Sequence, residues 1–444
     1  MIKVAKFGGS SLADGIQFRK VKDIIDSDKS RKFIVVSACG KKDDSEHKLT
    51  DLLYLCDAHL KYGVDPESIF SKIEDKFYSI RKDLDIKIDL ETEFKEIRSS
   101  FSKHINTDYL VSRGEYLTAK CLAEYLNADF IDAADFLFFD YQGNVDLALS
   151  KEKLMARINE DRKAVIPGFY GVMSNGSIRV MSRGGSDISG SIIANIIDAD
   201  IYENWTDVSG VYVADPRIIK HPLKCARVTY RELRGISYMG ANVLHDDAIF
   251  PVKEKNIPIN IRNTNDPENA GTLILDDCSE FDKKDPPGLI TGIAGKEGYI
   301  ALTIVKSRSS TKIGFLSRLL GIFEEYQVSI ESVPITVDTF SFIVAKEAVG
   351  NTLFEIIARI RKEVNPDVIE VDEDLALIAI VGRGMKAKPG ISGSLLSEFG
   401  RNKINIKIIN QSADELSIVV GVANDDFRKA IECIYDRFVL EERQ

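Results

Sequence analysis

No apolar run in this 444-residue chain approaches the roughly 18 residues that a helical membrane span needs, which excludes a hydrophobic transmembrane helix. The opening residues Met1-Ile2-Lys3-Val4-Ala5-Lys6 lack the charged, apolar and small-residue order of a signal peptide, so the expected compartment is the cytosol. Long blocks of one charge are missing too. A formal net charge of −10 is spread along the sequence, which argues against a nucleic-acid footprint and a polybasic membrane surface and leaves a small-molecule substrate. Cysteine is sparse. Cys39, Cys56, Cys121, Cys225, Cys278 and Cys433 are scattered with no C-x-x-C pair, the pattern of reduced buried thiols rather than of a disulfide or zinc framework.

What is present is apolar sequence enough for two or three cores, since domains run to roughly 100–200 residues each. The first part alternates β-branched runs with amphipathic stretches, as an α/β domain with a mostly parallel sheet does. Strands are expected at Lys3–Phe7, Phe33–Ser37, Ala128–Asp132, Ala164–Pro167, Ile201–Trp205 and Ile257–Arg262, with a helix over Gln17–Asp26. Residues 65–106 are charged, helical in period, and predicted to cover the substrate side. Residues 276–288 read as a linker.

Beyond that linker the chain repeats itself. Gly314–Leu320 matches Gly390–Leu396, Val328–Ile330 matches Ile404–Ile406, and Ser341–Val344 matches Ser417–Val420, each pair 76 residues apart. Each copy reads strand, helix, strand, strand, helix, as in a ferredoxin-like βαββαβ unit. The first copy closes with Val368–Val371, whereas the second ends in helix Asp426–Phe438 without a closing strand. Ile290–Ala294 is an orphan strand that can complete it, so the first unit is expected to be inserted within the second. The expected boundaries are 1–275 for the catalytic domain, 276–288 for the linker, 298–373 for the inserted unit, and 289–297 plus 374–444 for the other.

Four segments carry candidate chemistry. Lys6-Phe7-Gly8-Gly9-Ser10-Ser11 follows a strand and precedes a helix, so its glycines can bring backbone N–H groups to a phosphate while Lys6 adds a point charge; it is equally an ordinary glycine turn, and it is not a Walker A pattern. Met181-Ser182-Arg183-Gly184-Gly185-Ser186-Asp187 opens a helical run at 189–197, where Arg183 offers a fork for a carboxylate and Asp187 can orient a donor or help hold a metal; the alternative is a helix entry capped by Ser186 or Asp187. Glu115, in Ser112-Arg113-Gly114-Glu115, can pair with an ammonium group or serve as a first-turn glutamate favoured by the helix dipole. The segment from Trp205 to Arg217 combines a ring for an adenine face with carboxylates and an arginine where a strand ends.

Taken in order, Lys6–Ser11, Ser37–Lys41, Ser112–Glu115, Gly168–Gly171, Ser182–Asp187, Thr206–Val208 with Asp215–Arg217, and Gly240–Ala241 with Val243–His245 resemble the motifs of aspartate kinases of the amino-acid kinase superfamily, and the doubled C-terminal unit resembles that family's paired ACT domains. The resemblance spans nearly the whole chain. It implies a three-layer α/β/α catalytic domain followed by two ACT domains. It also implies transfer of the γ-phosphate of ATP, with Mg²⁺, to L-aspartate in a monofunctional enzyme. Lys6, Gly8, Gly9 and Asp187 then fall at catalytic positions, and Ser37, Glu115, Arg183 and Ser186 at the amino-acid substrate, Glu115 on the α-amino group and Arg183 on the α-carboxylate. Lys6, Gly9, Ser10, Thr206, Asp207, Tyr212 and Arg217 fall at the nucleotide. By the same resemblance the ACT pair forms a homodimer or tetramer and binds an end-product amino acid, lysine first and threonine second.

The effector site is expected at Lys312, Gly314, Phe315, Leu316 and Glu331, where a helix N-terminus suits a carboxylate and Glu331 an ammonium group; a capped helix and a solvated Glu331 are the alternative. In the second unit Lys407 stands where the repeat puts Glu331, so an ammonium ligand is expected to be repelled there. Three departures from the family pattern stand out. Ser10 replaces the usual threonine, residues 40–51 are longer than usual, and Asn242 replaces a lysine, so that either Lys253 or another cation substitutes or nucleotide contact is weaker there.

Overall fold

The computed structural model describes residues 1–441 except Asp44, Glu160, Arg183, 241–243, 309–312 and Ala387. Two compact units emerge: Met1–Val211 with Lys224–Arg231 and Asn242–Cys278, and Tyr212–Leu223 with Glu232–Ala241 and Ser279–Gln444.

In the first unit the strands are β1 (Lys3–Phe7), β2 (Arg31–Val36), β3 (Asp129–Phe130), β4 (Phe138–Phe139), β5 (Ala164–Pro167), β6 (Tyr170–Met173), β7 (Ile178–Val180), β8 (Ile201–Thr206), β9 (Arg227–Thr229), β10 (Ile259–Asn263) and β11 (Thr272–Leu275). Eight of them form one sheet in the order β3-β5-β2-β1-β8-β10-β11-β9, parallel except where β10 meets β11, and β4, β6 and β7 form a small second sheet. Residues of β1, β2 and β8 are buried on both faces, as a sheet covered by helices on each side requires. Strand order reverses at β1, which lies between β2 and β8, and the C-terminal ends of strands at such a reversal are where α/β folds bind ligands.

The helices follow local signals. α1 (Gly15–Ser27) starts where the Asp14 carboxylate accepts from the Gln17 N–H at 2.9 Å and buries Phe18, Val21, Ile24 and Ile25. The charged stretch becomes α2 (Leu49–Tyr62), α3 (Glu67–Leu84) and α4 (Leu90–Ser99), whose apolar faces join one core with α1 and α5 (Thr107–Leu126). α5 is capped by Asn106 and stopped by Asn127 in the left-handed region. α6 (Leu147–Met155), α7 (Gly185–Ile196), α8 (Tyr230–Tyr238) and α9 (Ile249–Lys253) complete the set, α8 starting in the first unit and continuing into the second.

In the second unit a short α10 (Ser279–Asp282) precedes one five-stranded antiparallel sheet built from β12 (Gly292–Val305), β13 (Thr339–Ala345), β14 (Val368–Val381), β15 (Ile408–Gln411) and β16 (Ser417–Val422), in the order β13-β12-β14-β16-β15. β12 and β14 are each 14 residues long and run through both repeats. Gly292–Lys296 pairs with Leu377–Val381, which in turn pairs with β16, whereas Tyr299–Val305 pairs with β13 and with Val368–Leu375. α11 (Phe315–Glu325), α12 (Lys346–Val349) and α13 (Leu353–Val364) close the first repeat's core, and α14 (Ile391–Arg401) and α15 (Phe427–Tyr435) serve the second. Val328–Ile330 forms no regular strand; the chain there is tied to β13 by the Glu331 N–H donating to the Ile343 carbonyl at 2.8 Å and by a bridge at Ser332. No described helix is long and apolar enough to cross a membrane.

Candidate active site

The C-terminal end of β1 delivers Lys6 and then the Gly8-Gly9-Ser10 turn. This turn is stitched to the loop after β2: the Ser37 N–H donates to the Phe7 carbonyl at 3.1 Å, and the Gly40 N–H to the Gly9 carbonyl at 2.8 Å. A Cβ on Gly9 would stand 2.9 Å from the Ala38 carbonyl oxygen, so only glycine lets these loops meet. Gly114 allows a similar approach one layer down, where a Cβ would come 3.0 Å from that of Ala38.

Lys6 is buried, and its Nζ lies 2.5 Å from Asp187 Oδ1 at the start of α7. The same oxygen accepts from Asn204 Nδ2 at 3.0 Å. Lys6 and Asn204 are register partners on the adjacent parallel strands β1 and β8. The first turn of α7 also brings Ser186, and Gly168 is packed so closely on it that a Cβ there would stand 2.9 Å from Ser186 Cα.

Glu115 is 4% exposed and lies in the middle of α5, so the alternative of a glutamate in a first helical turn is set aside. Its carboxylate takes a hydrogen bond from the Ala38 N–H and feels the charge of Lys6, yet Oε2 has no partner. Burial outweighs both and pushes the carboxyl up to about 8. Glu115 is thus a nearly inaccessible acid with an orphan oxygen, near Lys6.

Trp205 corrects the sequence reading. It is 1% exposed, its ring stacks on Phe7 at 6.0 Å between centroids, Arg262 lies over it at 4.5 Å, and its Nε1 donates to Glu203 at 2.9 Å. It is core, inside β8 rather than in the loop beyond, and offers no face to adenine. Thr206 and Asp207 follow it in the same unit, with the Thr206 hydroxyl 3.2 Å from Asp207 Oδ1. Tyr212 and Arg217 belong to the second unit, where Arg217 forks onto Asp215 at 2.6–3.0 Å. Arg183 and Asn242 lie outside the described residues.

Two residues here were given no role by the sequence reading, Asn204 and, inside the Gly168–Gly171 motif, Phe169. Asn204 carried a signal, a second polar side chain inside a strand buried on both faces. Phe169 adopts φ +77°, unusual for a non-glycine residue, and packs its ring over Gly185; only the surrounding glycines hinted at it.

In the second unit, Lys312 lies outside the described residues. Gly314 caps α11 at φ +77°, the Phe315 ring packs on Phe340 at 5.0 Å, and Leu316 lines a 690 Å³ cavity with Leu320, Phe323 and Ile330. The Glu331 carboxylate accepts from the Tyr238 hydroxyl. Its counterpart Lys407 is paired to Asp372 at 2.9 Å and to Asp374, so no free cation stands there.

The amino acid kinase family model matches residues 1–263, and an ACT domain model matches residues 378–438. The chain is 35% identical to aspartokinase 3 of Bacillus subtilis over 98% of both chains, and 26% identical to the lysine-sensitive aspartokinase 3 of Escherichia coli, again over 98% of both. Among solved structures it resembles the Clostridium acetobutylicum aspartate kinase, described as allosteric, at 46% identity and a TM-score of 0.92, covering 98% of this chain and 100% of that one.

Proposed function

Since the chain belongs to the amino acid kinase family, and within it to the aspartate kinases, we propose that its first unit transfers the γ-phosphate of ATP to the β-carboxylate of L-aspartate. The observation that carries the amino-acid half of this reading is the buried Glu115 carboxyl with an unpartnered oxygen, which suits an α-ammonium group. Arg183, by its position in the Ser182–Asp187 motif, takes the α-carboxylate, and Ser37 and Ser186 border the substrate. Gly9 and Ser10 receive phosphate on backbone N–H groups, while Gly8, whose own N–H donates to the Trp205 carbonyl at 2.9 Å, forms the turn, and Thr206 and Asp207 of the first unit serve the nucleotide.

The β-carboxylate is ionised at neutral pH and needs no general base. One of its oxygens forms a bond to the γ-phosphorus as the bond from that phosphorus to the β,γ-bridging oxygen breaks, leaving 4-phospho-L-aspartate and ADP. Lys6 meets the charge on the transferring group, and Asp187 sets where Lys6 stands. Mg²⁺ would be carried mainly by nucleotide phosphates and water, as this hard ion often is. When bound it neutralises phosphate charge. Coupled ADP release with aspartate, glutamate or no amino acid tests the reading: turnover is expected with aspartate alone, and equal turnover with glutamate contradicts it.

We assign residues 1–275 to catalysis, 276–288 to the linker, 298–373 to the inserted ACT domain, and 289–297 with 374–444 to the other. Support comes from the end of the large sheet at Leu275 and from the pairing of Gly292–Lys296 with Leu377–Val381. Exposed Ile313, Leu320, Ile335 and Val337 favour a homodimer built on the ACT unit. Lysine is the proposed effector, supported by the lysine sensitivity named for the Escherichia coli relative, with Glu331 on its ammonium group and the Gly314–Leu316 helix start on its carboxylate. The Phe315 ring is core, so that residue contributes backbone only. Lysine is expected to inhibit wild type, and Glu331→Ala to raise the inhibitory concentration about tenfold or more, the effect of losing one charged contact of roughly 1.5–3 kcal/mol. An uninhibited wild type, or a fully sensitive variant, removes the site.

A further inference from the structure

Asn204 is 2% exposed on β8, directly beside Lys6 on β1. Its Nδ2 donates to Asp187 Oδ1 at 3.0 Å, on the oxygen that Lys6 Nζ meets at 2.5 Å. Its own Oδ1 is buried and has no hydrogen-bond partner. Stability alone does not call for an asparagine here: its Nδ2 bond to Asp187 is offset by an orphan amide oxygen inside a central strand.

Function does account for it. The Lys6 charge is taken up by Asp187, and a lysine that is fully neutralised gives little to a phosphoryl group. A donor on Asp187 weakens its hold on Lys6 and keeps the carboxylate in place when Lys6 turns to the substrate. The ammonium group has three hydrogens; Asp187 takes one, the unused Asn204 Oδ1 offers an acceptor on the neighbouring strand, and one remains for phosphate.

We infer that Asn204 is a positioning residue for phosphoryl transfer, acting through Lys6 and Asp187. This rests on the aspartate kinase reading above. Asn204→Leu is expected to lower kcat about tenfold or more, with KM for aspartate and ATP within about twofold and a melting temperature equal to or above wild type. A wild-type kcat in the folded variant, or a loss no larger than its loss of folded protein, overturns the inference while leaving the function intact.

If Asn204→Leu does not fold, the isosteric Asn204→Asp decides. The charged groups facing that position are Lys6 and Asp187, with Glu115 near enough to feel Lys6. An added carboxylate holds Lys6 back at pH 8, but on gaining a proton it can donate to Asp187 as the amide does. The ratio of its kcat to wild type is therefore expected to rise as pH falls from 8 to 6; a flat ratio overturns the inference. Wild type measured alongside separates the two failures, since absence of aspartate-dependent ADP release there sinks the function as well.

Discussion

Lys6→Ala is expected to lower kcat roughly a thousandfold, the upper end of what one group stabilising transition-state charge supplies, with KM for both substrates little changed. Lys6 is buried at the end of β1 with its ammonium on Asp187, beside a turn in which the Gly8 N–H is tied to the Trp205 carbonyl and Gly9 packs against the Ala38 carbonyl. No other described cation is paired to Asp187, so no neighbour is poised to replace it. The fold should survive, because Asn204 still donates to Asp187 and β1 keeps its ladders to β2 and β8. Steady-state kinetics with circular dichroism checks this: near-wild-type turnover in a folded variant takes Lys6 out of the mechanism.

The second large effect concerns Glu115. Truncation to alanine removes the buried partner of the substrate ammonium, and losing one member of a desolvated charge pair costs on the order of 3 kcal/mol, which is about a hundredfold in KM for aspartate. Succinate, which lacks the amino group, should be affected far less; equal losses with both substrates would falsify the pairing. Burial disfavours the charge of this carboxyl and pushes it up to about 8, so an ammonium ligand that needs the carboxylate must first expel a proton at lower pH. KM for aspartate should therefore fall as pH rises from 6 to 8, and Glu115→Gln should flatten that slope. Stability moves the other way. The folded state holds this proton more tightly than the unfolded chain, whose glutamates titrate near 4.3, so the contribution is complete below that pH and is lost as pH rises through about 8. The melting temperature of Glu115→Gln should gain on wild type over that window.

Much of the scaffold was legible because it rests on local rules. β1 and β5 fall where the β-branched runs put them, and the second repeat's lack of a closing strand singled out Ile290–Ala294, in the stretch where Gly292–Lys296 pairs with Leu377–Val381. Lys6, Glu115 and Asp187 could be picked out as candidates because each is a charged residue within a glycine-containing motif, although each also had an ordinary structural reading. Depth was not legible. Whether Trp205 faces a ligand or the core depends on which side of β8 packs against Phe7, and alternation alone does not say which face is which. Glu115 was read at the start of a helical stretch, whereas the helix runs through it from Thr107 and uses the missing side chain of Gly114 to admit Ala38. Asn204 needed the register of β8 against β1, a long-range property.

The most direct test of the central claim is the product itself. Incubating the chain with Mg-ATP, aspartate and hydroxylamine should trap the acyl phosphate as aspartate β-hydroxamate, one per ADP formed, with none when glutamate replaces aspartate. ADP released without hydroxamate, or hydroxamate formed equally from glutamate, would contradict the account.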